Sequence, residues 1–400
     1  MELYRAGKAL RMRMEKAKIL VTGANGFLGT RLVEFLALAY RADVRALVRD
    51  LGRSVRLCRL PVEILLGDVR DERAIERALD GCSIVIHCAS GIDATKPHAS
   101  STFLGTEIVA RAAHLKKVQR FVHISSAAVY GSPGEVEVNE SYPLRRRWKR
   151  DVYGAAKIAG EQFVHELFLK GLCATIIQPT IIYGPYSAEW STHPLQVLKT
   201  NDYVLPKGGV LSPVYVDDVV RAIVLAAAKP ESVGNRYIVS SSDSIEWSYF
   251  YQAYTRMGTI GRAFAVTDDE YSRLVRQRKA KSNFAALARL VVQQPEIRKA
   301  AAANSVLVWS YNLAKRCLSA EHLSQLRAGH LRGASAPTSR PAETEQSAAF
   351  LPGPGLWQLY KSPSRYSIEK AKRELGYQAQ IDLKMGMELT AEWARWSRLI

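Results

Sequence analysis

KILVTGANGFLGTRLVEFLA, Lys18 to Ala37, is the stretch on which the fold turns. It opens as a short apolar, strand-like run, is punctuated by Gly23, Gly26 and Gly29, and continues from Phe27 with apolar residues at helical spacing. A first glycine permits the tight turn, a second lets backbone approach a pyrophosphate, and a third allows close packing of helix on sheet. The helix that follows, with Phe27 and Leu28 in its first turn, offers free N–H groups and a partial positive charge to phosphate. Strand, spacing and helix agree here, so the segment reads as a dinucleotide phosphate loop rather than a plain turn.

The same alternation extends along the chain. Lys18–Thr22, Val44–Val48, Val62–Leu65, Ser83–Cys88, Arg120–Ile124 and Ala174–Gln178 read as buried parallel strands. Between them Phe27–Tyr40, Glu72–Leu79, Phe103–Leu115 and Tyr153–Lys170 carry helical periodicity. Strand–helix alternation implies an α/β fold, a Rossmann-type doubly wound parallel sheet over residues 18–240. Residues 1–17 form an N-terminal extension, and 241–332 turn helical and rich in Ala and Arg, as a C-terminal substrate cap. Residues 333–358 are Pro/Gly/Ser-rich and read as a mobile linker, and 359–400 complete the substrate domain.

Composition narrows the class. Of 400 residues, 48% are hydrophobic and 24% charged, the balance of a folded chain rather than a disordered one. Five cysteines without a C-x-x-C pair argue against a disulfide framework or a zinc site and fit a reducing cytoplasm. The leader MELYRAGKALRMRM lacks the continuous apolar core of a secretory signal, and no run is long enough to span a bilayer. Net charge is +18, and residues 256–340 hold fifteen Lys/Arg against five Asp/Glu. Such a field attracts polyanions, but no nucleic-acid module accompanies it, so nucleic acid is not an expected partner.

The second strand bears on the cofactor. In VRALVRDLGR, Val48 and Arg49 stand where an acidic residue would bind a ribose 2′-hydroxyl, with Arg53 and Arg56 beyond. A guanidinium suits a 2′-phosphate, which favours NADP, while Asp50, displaced by one position, keeps NAD open.

With these motifs in place, the sequence resembles the extended short-chain dehydrogenase/reductase family, the NAD(P)-dependent epimerase/dehydratase group. The resemblance rests on TGANGFLG (22–29), GDVRD (67–71), HCAS (87–90), ISSAAVYG (124–131), YGAAK (153–157), QPTIIYGP (178–185), VYVDDVVRA (214–222) and SIEKAKRELGY (367–377). It implies that Ser126, Tyr153 and Lys157 are catalytic. It implies cofactor contacts at Gly23, Gly26, Phe27, Leu28, Gly29, Arg49, Asp68, Val69, Ala89 and Pro179, with Asp68 accepting from the adenine amino group, and a homodimer through the two long helices. The chemistry fits these residue types. Tyrosine titrates near pH 10, too high for a neutral-pH base, and a lysine one helical turn away favours the phenolate. Ser126 would donate to the substrate oxygen, with Ser125 as its rival. No metal is implied.

Departures from the family pattern bear on the substrate. Ala127 and Ala128 replace the acidic pair of sugar-nucleotide dehydratases, and Thr102 replaces a frequent Asn. Gln178 precedes the proline of the sixth strand, and Leu211-Ser212-Pro213 offer no clamp for a nucleotide diphosphate, although Arg365 is a candidate substitute. These features resemble the branch of dihydroflavonol reductases and hydroxysteroid dehydrogenases. The expected function is NAD(P)-dependent hydride transfer on a carbonyl or secondary alcohol of hydrophobic or lipid-like character. A nucleotide-sugar 4-epimerase with tightly bound NAD and a non-catalytic cofactor-binding protein are the alternatives.

The run RRRWKRDVYGAAK, Arg145 to Lys157, sets five cations beside the tyrosine, so an anionic small-molecule substrate is one reading and a solvated face the other. Val306, Trp309, Leu313 and Cys317 fall on one helical face, either packed in the cap or set against anionic lipid as a peripheral contact of a cytoplasmic protein.

Overall fold

The computed structural model describes residues 14–91, 102–134, 136–148, 151–293 and 349–400, with backbone alone for 281–293. Seven parallel strands form the main sheet: β1 (Lys18–Thr22), β2 (Asp43–Val48), β3 (Glu63–Leu66), β4 (Ile84–His87), β5 (Arg120–Ile124), β6 (Ala174–Pro179) and β7 (Arg236–Val239). Their order is β7-β6-β5-β4-β1-β2-β3. The chain therefore reverses direction across the sheet between β1 and β4, where the C-terminal strand ends diverge and leave a crevice. Six of these strands follow from the apolar runs. The edge strand β7 does not, being four residues long with its polar Arg236 at one end.

Helices cover both faces. On one side lie α2 (Glu72–Leu79), α3 (Leu104–Leu115) and α4 (Val152–Leu169), whose apolar stripes meet Leu20, Val85, Phe121 and Ile176 of the sheet. On the other side α1 (Phe27–Leu38) and α5 (Val216–Ala228) cover Ile19, Val21, Ile86, Val122 and Ile177. Alternate residues of each strand thus enter opposite cores, as the two-residue period of a strand requires. Two aspartates start helices: Asp71 accepts from Arg73 and Ala74 N–H at 3.0 and 3.3 Å, and Asp151 accepts from Gly154 N–H at 2.9 Å.

Beyond Ser240 the chain builds the substrate side around an aromatic cluster. Trp247, Phe250, Tyr251 and Tyr254 of α6 (Trp247–Thr255) pack on Tyr183, Tyr203 and Tyr360. The Tyr360 hydroxyl meets those of Tyr203 and Tyr251 at 3.0 and 2.6 Å. Helix α7 (Asp268–Gln293) follows. The linker expected over 333–358 is corrected where it is described. Phe350 N–H donates to the Asp202 carbonyl at 2.7 Å, and α8 (Pro354–Tyr360) buries Trp357 and Tyr360. Proline at the start of α8 opens a helix instead of breaking a chain. Val306, Trp309, Leu313 and Cys317, read as a helical face packed in the cap or set against lipid, lie outside the described residues, as do Lys149 and Arg150. Among the described residues no helix is long and apolar enough to cross a membrane.

Candidate active site

The glycine loop is shaped by contacts that exclude side chains. Gly23 sits at φ +65°, and a Cβ there would lie 2.7 Å from the backbone of Ala89. A Cβ on Gly29 would lie 2.2 Å from the Gly23 carbonyl oxygen. Helix α1 has no side-chain cap at Gly26, unlike α2 and α4, and no acidic residue in its first turn. The N–H groups of Phe27 and Leu28 are therefore left for an anion, the arrangement a dinucleotide pyrophosphate needs.

A single cavity of about 820 Å³ runs from this loop to the cap. Gly23, Gly26, Phe27, Leu28, Gly29, Arg49, Arg53, Val69 and Ala89 line one part, and Ser126, Tyr153 and Pro179 line the adjoining part. Arg56, grouped with these arginines from the sequence, is spent elsewhere: it pairs with Glu34 at 2.6 Å and stacks 4.1 Å over Tyr186. Asp50 turns back to accept from Gly52 N–H at 2.8 Å, which leaves Arg49 and Arg53 at the end of β2. Asp68 stands apart from the other expected contacts. Arg70 holds its two carboxylate oxygens at 3.0 and 2.7 Å, and the Asp68 side chain lies outside the cavity wall.

Helix α4 carries Tyr153 and Lys157 on one face, and the Tyr153 side chain opens onto the cavity at 39% exposure. Lys157 is buried beneath it, its Nζ 5.9 Å from the ring centroid and donating to the Ile124 carbonyl at 2.8 Å. Burial brings the ammonium down to about 8, partly offset by the Cys88 and Glu161 charges. The apolar surroundings push the Tyr153 phenol up, and a hydrogen bond with Ser126 works against that rise. The two serines separate clearly. Both line the cavity, but Ser125 is buried and donates to Glu161, while Ser126 accepts from Ala128 N–H at 3.2 Å and meets the Tyr153 phenol.

Several participants escape sequence reasoning. Glu161, one turn beyond Lys157, is buried and accepts Gln178 Nε2 at 2.9 and 3.0 Å, with Arg236 at 3.8 Å. Tyr130 OH donates to Gln178 Oε1 at 2.7 Å, so Gln178 braces the floor of the site. The spacing Tyr153, Lys157, Glu161 was the visible signal for this stripe. Thr102 bridges Ser90 and Gly91 at 3.1 and 2.9 Å and closes the base of that loop. Ser364 and Tyr366, from the C-terminal segment, also line the cavity, and nothing local in sequence marks them. Arg365 itself is exposed, in a short strand beside Glu137, and lies outside the cavity wall.

The model of the NAD dependent epimerase/dehydratase family matches residues 19–240, more than half of the chain. The chain belongs to that family. Curated relatives of this family member include a ketoreductase of a farnesylated dihydroquinoline oxide from Stigmatella aurantiaca, 29% identical over 58% of this chain and 71% of that protein. Sterol demethylase protein B of Methylococcus capsulatus is 32% identical over 55% of this chain and 69% of its own length. A 3 beta-hydroxysteroid dehydrogenase/Delta 5→4-isomerase of Mycobacterium tuberculosis is 30% identical over 62% and 71%. Among solved structures, an epimerase from Methanothermobacter thermautotrophicus superposes with a TM-score of 0.68 at 16% identity, covering 100% of this chain and 98% of that one. A UDP-glucose 4-epimerase from Thermotoga maritima gives 0.63 at 16% identity over 95% and 99%. These place the fold in the epimerase/dehydratase group and identify the chain as an enzyme of the extended short-chain dehydrogenase/reductase type.

Proposed function

We propose that this enzyme interconverts a carbonyl and a secondary alcohol on a largely apolar substrate, with NADP as its dinucleotide. One observation carries the reading. The Tyr153 phenol and the Ser126 hydroxyl line the same cavity as the glycine loop, with the Lys157 ammonium buried one helical turn below the phenol. Bound nicotinamide would supply or accept the hydride. In reduction the Tyr153 hydroxyl donates its proton to the substrate oxygen, and in oxidation the phenolate takes it back. Lys157 favours the phenolate by its charge, and Ser126 donates to the oxygen on which charge develops. Arg49 and Arg53 line the cavity while Asp50 is turned back to Gly52, and the two guanidiniums suit a 2′-phosphate.

The substrate side supports an apolar body: Ile181, Ile182, Trp190, Leu211, Trp247 and Leu359 line it. The ketoreductase and steroid dehydrogenase among the relatives point the same way. Absorbance and mass analysis of the purified protein, followed by titration with NADPH and NADH, tests the proposal. Exchangeable NADPH, bound more tightly than NADH and oxidised by a hydrophobic ketone, is the expected result. Retained NAD with no net turnover would replace it with epimerisation.

A further inference from the structure

Of the basic run before Tyr153, three members are described, and they behave differently. Arg145 leaves the site, donating to the Tyr142 hydroxyl at 2.7 Å and lying 5.2 Å over its ring. Arg146 is not part of the cavity wall. Arg147 is, and its Nε is buried without a hydrogen-bond partner. The nearby carboxylate does not pair with its guanidinium. Asp151 spends one oxygen on the Gly154 N–H at 2.9 Å and the other on the main-chain N–H of Arg147 itself at 3.1 Å. The loop is thereby pinned to the first turn of α4, so the side chain of Arg147 is held at a fixed place beside Tyr153.

A guanidinium stays charged at all physiological pH values, and leaving a buried donor of a charged group unmatched is costly. The fork of such a guanidinium in a cavity wall suits an anionic oxygen on whatever enters. The number of cations sets how much charge that ligand brings. Among the described residues the cavity wall holds three arginines, and Arg49 and Arg53 stand at the end of β2 beside the glycine loop. Arg147 is then the one cation left for the substrate, and with the Glu189 carboxylate also in the wall the site suits a single carboxylate better than a diphosphate.

We propose that Arg147 is a specificity determinant that selects apolar oxo or hydroxy acids by binding their carboxylate while Tyr153 faces the carbonyl or carbinol carbon. This rests on the hydride-transfer reading for the reaction but not for the binding. The ligand consistent with the walls is an aliphatic or polycyclic acid with its charge on the same side as its reacting carbon.

Two measurements test it. Decanoate and decanamide, which differ in charge but hardly in shape, are compared for protection of the protein against thermal unfolding. Decanoate is expected to raise the midpoint of the wild type more than decanamide does, and the difference to vanish in Arg147→Gln and return in part in Arg147→Lys. Equal effects of acid and amide on the wild type overturn the proposal, and that comparison needs no variant to fold. In turnover with NADPH, an oxodecanoate is expected to exceed its primary amide in kcat/KM by roughly 10-fold or more, as for a charge-assisted hydrogen bond. That ratio should fall towards 1 in Arg147→Gln. A variant that keeps the wild-type ratio and only shifts the pH profile would make Arg147 a positioning partner of Tyr153 and sink the carboxylate assignment. Absence of nicotinamide turnover with an intact decanoate effect would remove the proposed reaction and leave the binding site standing.

Discussion

At Tyr153 two opposing influences meet. The apolar cavity raises the phenol, while Ser126 and the positive charge of Arg147 lower it. Replacing Tyr153 by Phe removes the proposed proton donor and keeps the ring, so kcat is expected to fall about 100-fold or more with dinucleotide affinity retained. Steady-state turnover alongside a nucleotide titration checks this, and an unchanged kcat would remove Tyr153 from the chemistry. In the proposed reaction Lys157 supplies the pH dependence. Its ammonium, brought down to about 8 by burial, is charged below that value and neutral above it. The kcat/KM for carbonyl reduction should therefore hold level up to about pH 8 and decline beyond it. A profile flat to strongly alkaline pH would show that the charge is not needed. The arginines at the end of β2 make a third test: reversing both Arg49 and Arg53 to Glu should weaken NADPH selectively, by roughly 10-fold or more for the lost charge-assisted bonds, and leave NADH little altered.

The first helix shows how an element can be tuned for a ligand at some cost to itself. Three glycines and a missing side-chain cap leave the α1 N-terminus open, where Asp71 and Asp151 close α2 and α4. Gly29→Ala would drive a methyl group to 2.2 Å from the Gly23 carbonyl oxygen. A loss of about 2 kcal/mol in denaturant unfolding is expected from this overpacking, together with lost dinucleotide binding. Unchanged stability would mean that the loop can shift freely. Helix α4 was legible as an element, and so was its Tyr153–Lys157 face. The role of Glu161 was not, because a glutamate eight residues along reads as another polar position until Gln178, Ser125 and Arg236 arrive from other strands.

On the scale of the molecule, the C-terminal segment is tied back to the sheet through buried polar contacts. Asp218, fully buried in α5, accepts the main-chain N–H groups of Gln380 and Ile381 at 2.9 and 3.1 Å and pairs with Arg221 at 2.5 Å. Asp218→Ala strands all three donors and should cost on the order of 3 kcal/mol, with the cavity side carrying Tyr366 loosened first. Hydrogen exchange across 364–381 would reveal it, and a uniform response would refute the ordering. Acid stability follows from two stacked histidines at the sheet centre, 5.7 Å apart. Burial lowers His87 from 6.5 to about 3 and takes His123 well below its ordinary value, so both are neutral when folded. Unfolding lets each take up a proton once the pH drops below about 6.5. Stability is thus complete above that point and lost as pH falls, by about 1.4 kcal/mol per pH unit for each histidine. His123 has no partner on either ring nitrogen, so His123→Phe should remove its share of the slope and stabilise the fold at neutral pH. An unaltered slope would place the acid sensitivity elsewhere.

The amino-acid sequence by itself determined the strand–helix alternation, the phosphate loop and the Tyr153–Lys157 pair. Each of these depends on neighbours within a few residues, where hydrophobic period and glycine placement act directly. Only the tertiary structure decided which serine is spent on Glu161, which of three adjacent arginines enters the cavity, and that Phe350 onward packs against Asp202. Those outcomes depend on partners brought from far along the chain, and burial, charge pairing and hydrogen bonding have meaning only once those partners are in place.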